Sequence, residues 1–200
     1  MTERLSTQSL ELISNDIHGL QLYRGLSVDL VEQLVAKSKE REISRWTPKD
    51  SSVRFHDEDS TWDWLAQGRE VYPLMQGFEL AGLAWYGEKP FPADVPDRVD
   101  ESSLPNHTFA IRIYDGYRGY HLTKPMMDLS LHDYISGLKD SGQISSFRGL
   151  WLTTSPANTR AARLYESYGY RQSASNDKEA IMVLPLPAVT NRLRALSSAG

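Results

Sequence analysis

The sequence predicts a mixed α/β domain, and three observations lead there. Segments with an apolar residue at every second position are interspersed with segments whose apolar residues recur at three and four positions. Their order along the chain is β, α, α, a run of strands, then α, β, α, β, β, which is neither a purely alternating βαβ chain nor an all-β one. The chain has 200 residues, 40% apolar and 24% charged, an ordinary balance for one compact domain with a sizeable core.

The elements follow in order. Residues 9–14, SLELIS, alternate and read as a first strand. Residues 27–38 place Leu30, Val31, Leu34 and Val35 at helical spacing, with Ser27 as N-cap. The stretch 43–59 reads as a loop with Pro48 and the charge run His56-Asp57-Glu58-Asp59. That run reads as a solvated loop or helix entry, because a metal site needs converging ligands, so no metal is expected. A short helix is expected from Ser60 to a stop at Gly68. Strands at 71–76 and 78–86 flank Gly77 and read as a hairpin. Residues 87–105 are rich in proline and acid and form the longest irregular stretch.

Residues 107–114 alternate strongly and read as a strand. From about Thr123 the pattern becomes helical, with Met127, Leu131, Tyr134, Ile135 and Leu138 on one face and Pro125 in the first turn. A strand at 149–154, a helix at 158–169 and strands at 170–175 and 179–186 complete a domain expected over 1–186. The tail, 187–200, reads as a short amphipathic helix or a frayed end.

Bulk properties exclude several classes. A net charge of −4 argues against a nucleic-acid partner. With no cysteine, there are no disulfides, thiolate metal sites or cysteine nucleophiles. No apolar run approaches the roughly 18–20 residues that span a bilayer, and the N-terminus lacks the apolar core of a signal peptide. A cytoplasmic protein with no membrane partner is expected. The histidines are scattered, and no G-x-S-x-G elbow occurs.

Chemistry concentrates in two places. The first is 116-GYRGYHLTKPMM-127, a glycine-containing loop between a strand and a helix. Such a junction leaves backbone N–H groups free at the positive end of the helix dipole, a ready anion site. Arg118 and Lys124 flank it and can add charge-assisted bonds to phosphate. Taken alone, the stretch fits a plain strand-to-helix turn with two solvated cations equally well. The second is 150-LWLTTSPANTRAARLYESYGYRQ-172. Asn158 stands at a helix start, Ala161 and Ala162 form a slim face, Tyr165 and Tyr168 follow on it, and Gly169 fits a C′ position before Tyr170.

The second stretch resembles a conserved block of the GNAT superfamily of acyl-CoA-dependent N-acyltransferases, a strand followed by N-x-x-A-x-x-L-Y-E-x-x-G-F. Asn158, Ala161, Leu164, Tyr165, Glu166, Gly169 and Tyr170 fall in step with it. The loop 118-RGYHLT-123 is similar to that family's cofactor motif, R/Q-x-x-G-x-G/A, with His121 and Thr123 on the two small positions. This register sets Met126 and Met127 on the apolar pair of the following helix. The alternative, with Gly119 as the first motif glycine, would bury Lys124.

The resemblance covers roughly residues 8–186. It implies a mixed, mostly antiparallel sheet with splayed middle strands and helices on both faces. It implies acetyl-CoA as co-substrate and transfer of an acetyl group to the primary amine of a small-molecule or peptide acceptor, in a monomer or homodimer. Ile111 and Ile113 would edge the pantetheine arm. The loop Arg118, Gly119, Tyr120, His121, Leu122, Thr123 and Lys124 would hold the pyrophosphate, with Asn158 and Arg160 as further cofactor contacts. Tyr165 would be the general acid, although Ala161, Tyr165 and Tyr168 also read as one packing face. Glu79, His107 and Asp115 are the base candidates. Trp46 and Trp62 lie where the family builds acceptor specificity, while core packing is the default for tryptophan. A non-catalytic acyl-CoA-binding or regulatory module is the alternative, motivated by His121 and Thr123.

Overall fold

The computed structural model describes residues 9–92 and 104–198. Most of the proline- and acid-rich stretch read at 87–105 lies outside the described residues. The strands are β1 (Glu11–Ile17), β2 (Leu20–Arg24), β3 (Glu70–Gln76), β4 (Glu79–Glu88), β5 (His107–Ile113), β6 (Gly149–Thr154), β7 (Arg171–Ser175) and β8 (Ala180–Pro185). The helices are α1 (Val28–Lys37), α2 (Arg41–Trp46), α3 (Glu58–Leu65), α4 (Thr123–Asp140), α5 (Thr159–Tyr168) and α6 (Leu186–Ser197). The hydrogen-bonded strand order is β1-β2-β3-β4-β5-β6-β8-β7, an eight-stranded, mostly antiparallel sheet.

The chain divides into two units. Unit 1 comprises residues up to Trp85 together with Ile111–Ser130, and unit 2 comprises Tyr86–Ala110 and the residues from Leu131 onward. In unit 1, β1 and β2 form an antiparallel hairpin around His18 and Gly19, both at positive φ, as a type I′ turn requires. The second strand of this hairpin was not expected from the sequence, although Leu20 and Leu22 alternate into the core. Two further elements replace the predicted 43–59 loop: α2, and a π-helical turn at Asp50–Arg54. Helix α3 begins earlier than Ser60. Asp57 is its N-cap, and a capping box with Ser60 satisfies two backbone donors. Edge-on packing of Phe55, Trp64 and Trp85, with ring centroids 5.0–5.9 Å apart, fills the space behind it.

Asp50 is fully buried and carries two arginines. Its carboxylate accepts from Arg112 Nε at 2.7 Å and from an Arg54 guanidinium nitrogen at 2.6 Å. Arg112 also lies 4.8 Å over the Trp85 ring and donates to the Ile111 carbonyl. Burial pushes the Asp50 carboxyl up, but Arg112 and then Arg54 outweigh it and hold the pKa below the ordinary aspartate value. The π-helical turn is thereby tied to the C-terminal end of β5.

In unit 2, β6 pairs along its length with β8, which pairs with β7. Tyr86, Phe109, Tyr134 and Tyr170 stack through the core at centroid separations of 4.5–6.4 Å. Among the described residues the parallel β5–β6 ladder has two pairs, His107↔Leu150 and Thr108↔Trp151. Phe109 and Ala110, in the same unit, have no registered partner on β6, so the two strands part after a single step. The tail read at 187–200 is helical through α6, with Pro187 in its first turn. A short 3₁₀ turn at Gln143–Ser146 precedes β6.

Candidate active site

The loop after β5 is built within unit 1. β5 ends at Ile113, the chain turns through Asp115–Gly119, and α4 begins at Thr123, with the Met126 N–H donating to the Leu122 carbonyl. Leu122, Met126 and Met127 are buried at 2%, 0% and 1% exposure, while Lys124 is exposed. That burial pattern fits the register that puts His121 and Thr123 at the small positions of the loop motif.

The conformation explains why small residues suit this loop. Gly119 has φ +90° and His121 has φ +57°, both left-handed. Glycine takes such angles freely, whereas a side chain at His121 costs about 1–2 kcal/mol. His121 and Tyr120 both point to solvent, with Tyr120 65% exposed, so neither fills the space above the backbone with buried bulk. Among the described residues, the backbone N–H groups of His121, Leu122, Thr123 and Lys124 donate to no protein acceptor. Free N–H groups at a helix start are the kind that receive anions, and Thr123 and Lys124 open the 18-residue α4 with two of them, directly after those of His121 and Leu122.

Arg118 is engaged differently from the sequence expectation. Its Nε donates to the Ile113 carbonyl at 2.9 Å, one terminal nitrogen pairs with Asp115, and the other reaches Glu40 Oε2 at 3.2 Å. Glu40 also accepts from the Asp115 N–H at 2.8 Å. Arg118 therefore spends donors on bracing the loop, and two of a guanidinium's five N–H bonds remain outside these contacts. Lys124 has no acidic partner among the described residues. Sequence reading missed Glu40 entirely, because nothing local signals a contact 78 residues away.

The base candidates sit in different settings. Glu79, in unit 1, accepts from Tyr117 Oη at 2.8 Å and Lys37 Nζ at 3.1 Å. The Tyr117 bond first, then the Lys37 bond, lowers its pKa, which weakens it as a base. Asp115, also in unit 1, is held by Arg118. His107, in unit 2, is buried, with Nδ1 2.6 Å from Tyr134 Oη and its ring edge-on to Phe147. Burial lowers its pKa, against a smaller upward pull from Glu88, so the imidazole is neutral at pH 7. Its Nε2 is buried without a partner among the described residues.

The second motif lies in unit 2. Asn158 caps α5, its Oδ1 accepting from the Ala161 N–H at 3.2 Å. The helix ends at Gly169 in the left-handed conformation, φ +113°, with the Tyr165 carbonyl accepting from Gly169 and Tyr170. Tyr165 is 7% exposed and packs 5.6 Å from the Tyr170 ring. Arg160 is exposed on the first turn. In unit 1, Trp46 donates to Glu42 Oε2 at 3.1 Å beneath the Arg45 guanidinium, and Trp62 is half-buried on α3. Asp57, of the charge run weighed for metal, serves as the α3 cap.

The mixed, mostly antiparallel sheet with its helices has the fold of solved GNAT acetyltransferases. Among solved structures, the aminoglycoside acetyltransferase AAC(6')-Ib in complex with coenzyme A and kanamycin matches with TM-score 0.53 and 18% identity over 85% of this chain and 98% of that one. The same protein has also been solved with acetyl-CoA. A candidate acetyltransferase of the GNAT family from Desulfovibrio desulfuricans matches with TM-score 0.56 and 18% identity, over 83% and 98% of the two chains. An uncharacterised protein, bh2621 from Bacillus halodurans, matches with TM-score 0.64 and 9% identity, over 93% and 95%. Neither a protein-family model nor a curated protein matches the chain by sequence.

Proposed function

We propose that this chain is an N-acetyltransferase that moves an acetyl group from acetyl-CoA to a primary amine by direct attack in a ternary complex. The run of unpaired N–H groups from His121 into the first turn of α4 carries the reading. A pyrophosphate presents the charge and the acceptor oxygens that such a run lacks, and Lys124 and the remaining Arg118 donors add countercharge. The shared fold with a coenzyme A-bound acetyltransferase supports it.

The chemistry assigns roles as follows. A neutral amine attacks the thioester carbonyl carbon, and a backbone N–H of β5 stabilises the developing oxyanion. As the carbon–sulfur bond breaks, the Tyr165 hydroxyl gives its proton to the leaving thiolate. Of the base candidates, Glu79 and Asp115 are each neutralised by a cation, whereas His107 is neutral and keeps one ring nitrogen unpaired. Burial also lowers the His107 pKa and keeps its Nε2 from solvent, so no one of Glu79, His107 and Asp115 is assigned as the base. No helix among the described residues is long and apolar enough to cross a membrane.

The test combines calorimetry with thiol release. Acetyl-CoA should bind with 1:1 stoichiometry, and free thiol should appear when amines are supplied as a panel. Absence of binding would remove the proposal. Binding without thiol release for any amine would leave an acyl-CoA-binding module.

A further inference from the structure

The acetyl-transfer reading leaves one cavity of unit 2 unused. It is open, with a volume of about 540 Å³, and lies between α4, the 3₁₀ turn and α6. Sites for small organic molecules run to roughly 300–1,000 Å³. Its apolar lining comes from Ile144 of the 3₁₀ turn and Leu193 of α6, over a floor of buried Ile135, Phe147 and Val189. Val189 and Leu193 are one helical turn apart, so the amphipathic face of α6 supplies one wall. Leu186, 41% exposed, continues that wall outward.

Two cations line the same cavity. Lys139 sits in the last turn of α4 and Arg194 in the last turn of α6, and both are exposed. Neither has an acidic partner among the described residues. An apolar trough with uncompensated positive charge selects a ligand that is itself divided into an apolar length and an anionic end. A neutral hydrocarbon would leave the cations unmatched, and a polyanion would leave the trough unmatched. From Leu186 to Arg194 α6 rises about 12 Å, the span of an extended chain of roughly ten carbons. A protein partner would need about 800 Å² of surface from each side, well beyond a trough of this length.

We propose that this cavity binds a free medium-chain carboxylate. Its hydrocarbon lies along Ile144, Leu186 and Leu193, and its carboxylate faces Lys139 and Arg194. None of the acyl-transfer residues lines the site, although Phe147 of its floor packs against His107, and the proposal does not depend on their assignment.

Calorimetric titration of the full chain with octanoate, decanoate and decanol, at low and high salt, tests this. Decanoate should bind saturably at one site, with each added methylene tightening binding by up to about fourfold. Decanoate should bind more tightly than decanol, and raised salt should narrow that gap. The double substitution Lys139→Glu/Arg194→Glu, at exposed positions, should weaken decanoate about tenfold or more while leaving decanol unchanged. The thermal midpoint of the variant checks that it folds, and the salt series on the unmodified chain gives the same answer independently. No saturable binding, equal affinity for decanoate and decanol, or an unaltered affinity after charge reversal would each overturn the proposal. A concentration-dependent dimer in sedimentation that Leu193→Glu abolishes would overturn it in favour of a second copy of the chain.

Discussion

Replacing Asp50 by alanine should cost about 3 kcal/mol of stability, because it leaves two arginines without their shared carboxylate. The Asp50 side chain is 1% exposed, Arg112 is 12% exposed and Arg54 is 30% exposed. Breaking a fully buried pair from one side costs about 3–5 kcal/mol. Arg54 can turn to water, and Arg112 retains the Ile111 carbonyl and the Trp85 face, which sets the expectation at the lower end of that range. Urea unfolding measures it. The midpoint should fall while the slope stays constant, as expected when stability changes without a change in the surface exposed. Asp50→Asn keeps the shape and should lose less. The pH dependence has a fixed sign. The folded pKa lies below the ordinary 3.8, so the contribution is complete above that value and is lost as pH falls through the folded pKa. The gap between Asp50→Asn and the unmodified chain should therefore be constant from pH 7 to pH 5 and close below about pH 4. A loss under about 1 kcal/mol for Asp50→Ala would refute the reasoning, since it would make this a surface-like pair.

Three further predictions concern the β5 region and the reaction. At Gly82 an added Cβ would meet the Arg112 carbonyl oxygen at 2.9 Å and Ile113 Cδ1 at 3.0 Å, so Gly82→Ala should destabilise by about 1–3 kcal/mol in denaturant titrations. His121→Gly relieves the φ +57° conformation but frees the unfolded chain, so its stability should change by less than about 1 kcal/mol in urea unfolding. Tyr165→Phe should lower kcat by about 10²–10⁴-fold in the thiol-release assay with KM for acetyl-CoA little changed, as expected for a lost general acid.

What the sequence revealed was local. The α5 block was legible because its cap, small face and left-handed Gly169 all lie within 12 residues, and the folded helix uses Asn158 and Gly169 in those roles. The burial of Met126 and Met127 was legible because it follows from the helical period. Helix α2 has six residues and the π-helical turn five, too short for a period to emerge. Strand β2 was missed because His18-Gly19 is an unusual type I′ pair, and only the alternation of Leu20 and Leu22 could have signalled it. The networks that hold the site in place were not legible at all. Glu40 meets Arg118 across 78 residues and Asp50 meets Arg112 across 62, and no pattern in a single sequence encodes such pairs. Arg118, whose charge suggested a phosphate ligand, was not legible as a brace of the turn as well.

The functional reading turns on the N–H groups from Gly119 to Lys124 receiving the pyrophosphate of acetyl-CoA. Amide NMR of the isotope-labelled chain titrated with acetyl-CoA tests it most directly. The account predicts that the Gly119, Tyr120, His121, Leu122, Thr123 and Lys124 amide signals shift together and saturate at one equivalent, with coenzyme A reproducing the effect. Amide signals in this loop that stay fixed while acetyl-CoA is added to excess would contradict it.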